Sequence, residues 1–252
     1  MKTIRHILNR ADWPFVPSPA AAKILDALER RMVNRKLPTT FRELWSLENG
    51  PDFLARYSNA DQPISPSGLG EPSERWPGYD AIADDVLPFM VENQGICAWG
   101  VRLDSDDDDP SVVVEVDSGT PPNWRECADR FSDWLACQVE DTSLLESYWF
   151  NARGEPLDDV VLVQLHERFS AGTQTSCWPG SWNYRFQNEH VRLLLWNSEG
   201  QCDWWIAPRS ADTAMAALDE IDAIAAIGRS LNAPKDEHRE VLRDWLERGR
   251  DG

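Results

Sequence analysis

The chain has 252 residues, 42% apolar and 27% charged, a globular balance that excludes a disordered or fibrous protein and predicts one large domain or two small ones. Its formal charge of −18 has the sign of nucleic-acid phosphates and anionic membrane surfaces, so neither is expected as a partner and a basic protein is. No stretch approaches the ~18 apolar residues of a membrane span, and Met1 to Val16 lacks the apolar core of a signal peptide, which predicts a cytoplasmic protein.

The charge is patterned. Residues 80–141 hold 16 acidic against 3 basic residues, a net of −13, whereas residues 1–79 carry a net of +2. The 13 Trp residues are many for this length; each brings a large apolar surface and one N–H donor, suited to cores and binding faces alike.

In chain order, Ser18 and Pro19 signal the start of a helix whose apolar side is Ile24, Leu25, Leu28 and Met32, ending near Leu37-Pro38. Thr40 with Glu43 reads as a capping box for a second helix burying Phe41, Leu44, Trp45 and Leu47, with Asn49-Gly50-Pro51 as its stop. Residues 58–79, rich in Pro, Gly and Ser, read as a long surface loop anchored by Trp76 and Tyr79.

Strands follow. Val86 to Val91 contains Pro88, which predicts an edge or a bulge. After the turn Glu92 to Gly95, Ile96 to Leu103 and Ser111 to Val116 flank Asp104 to Pro110 as a hairpin. After Pro121-Pro122, the spacing of Trp124, Cys127, Phe131, Trp134 and Leu135 predicts a helix. Val160 to Leu165 suits a strand or a helix start equally. Val191 to Trp196 and Asp203 to Ala207 read as a second hairpin, followed by helices from Ala211 to about Ile227 and from about Pro234 to Arg248.

The order of these features resembles the SUKH superfamily, whose founding member is a yeast cell-wall synthesis regulator. The residues that carry the resemblance are Leu37 to Trp45 (LPTTFRELW) closing on Glu48-Asn49-Gly50, Leu87-Pro88-Phe89, the Glu92 to Gly95 turn before Trp99-Gly100, Val112 to Val114, and Phe131 to Leu135 (FSDWL). They span roughly residues 18–140. The resemblance implies an α+β fold, with N-terminal helices packed on a largely antiparallel sheet. It divides the chain into a SUKH-like domain, 1–145, and a smaller C-terminal α+β extension of unknown role, 146–252. It also implies that bacterial members are immunity proteins which bind and neutralise toxins, often nucleases, and that no catalytic residue is to be carried over.

The residues themselves offer little chemistry. Asp104, Asp106 and Asp108 with Glu115 imitate part of a calcium loop, but Asp109 occupies the position that needs Gly, and Glu115 sits in a strand pattern. No metal or other cofactor is expected. The five cysteines are odd in number and none form C-x-x-C, which predicts reduced, buried thiols. His6, His166, His190 and His238 are scattered, and Ser181 lies outside any nucleophile motif and reads as a turn residue. Trp178, Trp182, Tyr184 and Phe186 form an aromatic cluster, read as packing before binding.

The expected function is therefore non-enzymatic: an immunity-type protein for a basic cognate toxin, with Asp104, Asp106, Asp107, Asp108 and Asp109 as the partner-binding residues. A solvated loop that guards a sheet edge explains the same aspartates. The rival functions are a regulatory or scaffold protein, and an enzyme with its site in the C-terminal extension.

Overall fold

The computed structural model describes residues 4–32, 35–104, 107–117, 119, 121–176, 178 and 180–248. It divides into two units, residues 1–140 with 176–179, and residues 141–175 with 180–252. Both are α+β, each built on a five-stranded antiparallel sheet. No described helix is long and apolar enough to cross a membrane.

The first unit begins with α1 (Ile4–Arg10), which buries Ile4, Ile7 and Leu8. In α2 (Pro19–Arg31) the Ser18 hydroxyl accepts the Ala21 N–H at 3.3 Å, the cap read from sequence. The helix ends at Arg31, short of the expected Leu37-Pro38. Met32 leaves helical geometry (φ −80°, ψ 84°), and the Leu37 N–H donates to the Glu29 carboxylate at 2.9 Å, folding the chain back along the helix. Ile24, expected on the buried side, is exposed.

Helix α3 (Thr39–Trp45) does not use the capping box. Thr40 lies inside the helix, and its N–H and hydroxyl both donate to the Asp108 carbonyl, at 2.9 and 2.8 Å. A segment distant in sequence thus supplies what a local cap would. Asn49-Gly50-Pro51 opens α4 (Gly50–Arg56) as well as closing α3. Gly50 is required by proximity rather than by a left-handed turn: a Cβ there would stand 2.0 Å from the Leu44 carbonyl oxygen.

The sheet runs in order β1 (Gln62–Pro63), β2 (Val86–Val91), β3 (Ala98–Arg102), β4 (Val112–Glu115) and β5 (Trp124–Ala128). The predicted hairpin is β3–β4, and Pro88 sits at a register shift in β2. The segment Trp124–Ala128 is a strand, not the helix its spacing suggested. It pairs with β4 from Glu115↔Trp124 to Val112↔Ala128, and satisfying that sheet edge outweighs the local helical period. Helix α5 (Phe131–Ser147) starts only at Phe131.

Five fully buried rings hold this unit together. Phe41 stacks on Trp45 (4.1 Å between centroids, 15° between planes), and Phe89 meets Trp45 edge-on at 5.5 Å. Phe131 and Trp134 close the cluster, each within 6.0 Å of Phe89 or of the other. Cys127 is disulfide-bonded, while Cys97, Cys137 and Cys202 are buried and form no disulfide. The expectation of wholly reduced thiols is thereby corrected, because an odd count forbids a complete framework but not a single bridge.

The second unit contains β6 (Phe150–Gly154), α6 (Asp159–Arg168), β7 (Ser170–Ala171), β8 (Ser181–Gln187), β9 (Val191–Ser198), β10 (Cys202–Pro208), α7 (Ala211–Ala225) and α8 (Asp236–Arg248), with sheet order β6-β10-β9-β8-β7. Ser181 is the buried first residue of β8 rather than part of a turn. The ambiguous Val160 to Leu165 segment is helical, capped by the Asp158 carboxylate on the Val161 N–H at 2.8 Å. One sheet face, with Phe186, Leu193, Leu195, Trp204 and Ile206, shares a core with Leu218 and Ile221 of α7 and Trp245 of α8. Arg185 and Asp141 form a bidentate pair at 2.7 and 2.6 Å, largely withdrawn from solvent.

Candidate functional site

The turn between β3 and β4 holds the aspartates singled out by sequence, and it gives them different roles. Asp109 is 2% exposed. Its carboxylate accepts the Ser132 N–H at 2.9 Å and the Ser132 hydroxyl at 2.5 Å, which makes it the cap of α5. The adjacent Pro110 carbonyl accepts the Phe131 N–H at 2.7 Å. Asp108 accepts from Thr40 through its carbonyl and from the Thr39 hydroxyl through its carboxylate. Asp107 accepts the Asp109 N–H at 2.9 Å. Asp104, Asp107 and Asp108 are exposed, and Asp106 lies outside the described residues.

The turn therefore serves the first turns of two helices while presenting carboxylates to solvent. Positive helix ends and free N–H groups explain why acidic residues sit here. The hydrogen bonds of Asp107 and Asp108 hold these exposed residues on a braced turn.

Two further acids share this end of the sheet. The Asp85 carbonyl accepts the Leu103 N–H at 2.8 Å, next to Asp104, and Val86 pairs with Arg102. Asp84 is exposed, and Asp85 pairs with Arg35. Sequence reasoning passed over Asp84 and Asp85. The signal was present: a β2–β3 hairpin necessarily sets the residues before Val86 against those after Arg102.

Glu115 is no calcium ligand. Its side chain is fully enclosed, pairs with Arg75 at 2.7 Å and accepts the Trp76 indole N–H at 2.7 Å. Arg75 also donates to the carbonyls of Gly95 and Ile96, and the Trp124 indole donates to the Tyr79 hydroxyl at 3.3 Å. These contacts are the anchor expected of Trp76 and Tyr79. The long loop they hold down leaves a groove of about 610 Å³ whose lining includes Trp76, Tyr79, Ile82 and Pro88.

Among the described residues no group of three or more His, Cys, Asp or Glu is placed to hold a metal ion. Burial pushes the Cys97 and Cys202 thiols up to about 12, so neither is an activated nucleophile. In the second unit a groove of about 890 Å³ carries Asp219, Asp222, Arg229 and Arg248 among its lining. Its carboxylates serve the fold: Asp219 accepts from the Trp245 indole at 2.8 Å and from Arg248, and Asp222 accepts the Gly228 N–H at 2.6 Å.

The aromatic cluster separates into parts. Trp178 packs on the core of the first unit, Tyr184 and Phe186 on that of the second, and Trp182 is 46% exposed.

Residues 19–137 match the SMI1 / KNR4 family (SUKH-1). No curated protein and no solved structure matches the chain at a significant level. The matched segment coincides with most of the first unit and contains Phe41, Trp45, Phe89, Phe131 and Trp134, the buried ring cluster. It thus carries that unit's core, and specificity has to be sought on the surface that core supports.

Proposed function

We propose that this is an immunity-type protein that binds a cognate toxin and blocks it without catalysing a reaction. The observation that carries the reading is the SUKH-1 match over residues 19–137, a family whose bacterial members the sequence resemblance associates with toxin immunity. The charge supports it: residues 80–141 hold a net of −13 within a chain of −18. An acidic face suits a toxin that must hold phosphate with Lys and Arg, such as a nuclease, because it competes for those groups and speeds encounter.

In this reading Asp104, Asp106, Asp107 and Asp108 meet the partner, joined by Asp84 from the neighbouring turn. Asp109 acts from behind by fixing the turn to α5. Co-expression of the tagged chain with the product of the adjacent gene tests the proposal. The expected result is a one-to-one complex in which the toxicity of that product is suppressed. A neighbour that is not toxic and forms no complex would favour a regulatory or scaffold role.

A further inference from the structure

Helix α6 carries an apolar stripe facing away from the core. Val161 and Leu165 pack inward, yet Val160 is 64% and Val163 is 56% exposed. Trp182 on β8 adds a large ring at 46% exposure. Trp182 shares its face of β8 with Tyr184 and Phe186, which pack on the same core as Val161 and Leu165. The Asn197 side chain, opposite Trp182 in the β8–β9 pair, accepts the Leu157 N–H at 2.8 Å, just before α6 begins. At the other end of the helix the His166 ring meets Phe186 at 5.2 Å, so α6 runs along β8.

Nothing in local stability asks for these residues. Branched valines lower helix propensity, and polar residues would serve an exposed face better. A clustered apolar surface within a strongly charged protein marks a contact. The exposed charges flanking it along the chain are mostly acidic, Glu155, Asp158, Asp159 and Glu167 against Arg153 and Arg168. A second copy of this chain would set acid against acid, and an anionic membrane would be repelled by the same charges. A helix with an apolar stripe and flanking Lys or Arg complements both features, since Val160 and Val163 form an i, i+3 ridge against which such a stripe packs.

We propose that the α6–β8 surface is a docking site for a basic amphipathic helix of a protein partner, independent of the acidic turn between β3 and β4. The site belongs to the second unit and lies outside the SUKH-1 match.

The test titrates the full-length protein with a labelled synthetic Leu/Lys amphipathic helix, with the Leu/Glu helix of the same pattern as the sign control. Binding of the Leu/Lys helix is expected in the micromolar range, weakened at least about tenfold in Val160→Ala/Val163→Ala and in Trp182→Ala. The alanine pair keeps α6 helical, and an unchanged circular dichroism melt separates lost binding from lost folding. Ile96→Glu, at an exposed apolar residue of the first unit, should leave binding unchanged. Raising salt from about 50 to about 300 mM should weaken it. Equal binding by parent and variants, or preference for the Leu/Glu helix, overturns the proposal. So does sedimentation showing a dimer that the alanine pair dissolves, which would assign the surface to a second copy.

Discussion

Asp109 and Ser132 are joined twice, the Asp109 carboxylate accepting the Ser132 N–H at 2.9 Å and its hydroxyl at 2.5 Å. Both residues are buried, so neither bond exchanges freely with water. Asp109→Ala removes the cap of α5 and strands the Ser132 hydroxyl, costing about 2–3 kcal/mol. Asp109→Asn keeps one acceptor and should cost less. Urea denaturation measures both. An alanine variant as stable as the parent would show that α5 is held by other means.

Glu115 gives a sharper case because its carboxylate is fully enclosed beside Arg75. Glu115→Gln leaves the guanidinium without its counter-charge in a partly dry site, a loss of about 3 kcal/mol. The loop that Arg75 and Trp76 fasten should open first. Hydrogen exchange of residues 69–80 should rise by more than that of α5, and uniform acceleration would count against a local anchor.

The contrast between these sites shows what the sequence could reveal. Phe41, Trp45, Phe131 and Trp134 were legible because helical spacing places them on apolar faces, and with Phe89 of the apolar segment Val86 to Val91 they form the ring cluster. The β3–β4 and β9–β10 hairpins were legible from their turn residues. The caps of α3 and α5 were not, since their partners, Asp108 and Asp109, lie far away along the chain. The strand Trp124–Ala128 was hidden for the same reason: the unpaired edge of β4 decides it, not its own period. Within the acidic run, charge alone could not separate the structural Asp109 from the exposed Asp104.

Gly50 is a test of backbone proximity. A Cβ at 2.0 Å from the Leu44 carbonyl oxygen meets main chain, which cannot rotate away as a side chain can. Gly50→Ala should therefore destabilise by about 2–4 kcal/mol despite its better helix propensity. A gain in stability would mean that the α3–α4 corner is free to relax.

Asp61 predicts a pH dependence. Burial, opposed by the Asn93 N–H and reinforced by the charge of Glu92, pushes its carboxyl from 3.8 up to about 6. The folded chain then holds a proton that the unfolded chain has lost. Its contribution is full below the unfolded value, falls as pH rises towards 6, and stays low above that. Asp61→Asn should stabilise the protein by about 1–2 kcal/mol near pH 7.5 and by almost nothing near pH 3.5. A gain of the same size at both pH values would assign it to packing.

The acidic turn is best probed by substitutions that keep an acceptor for the Asp109 N–H. Asp104→Asn/Asp107→Asn removes two charges while retaining an acceptor for the Asp109 N–H, so folding should be unchanged within about 0.5 kcal/mol. If these residues face a basic toxin, the association rate should fall several-fold at low salt, with the dissociation rate nearly unmoved and the salt dependence flattened. Stopped-flow measurement at two ionic strengths separates the cases. A slower on-rate with a flatter salt slope places the turn in the encounter surface. Unchanged kinetics would remove Asp104 and Asp107 from the encounter surface, with the turn serving to cap α3 and α5.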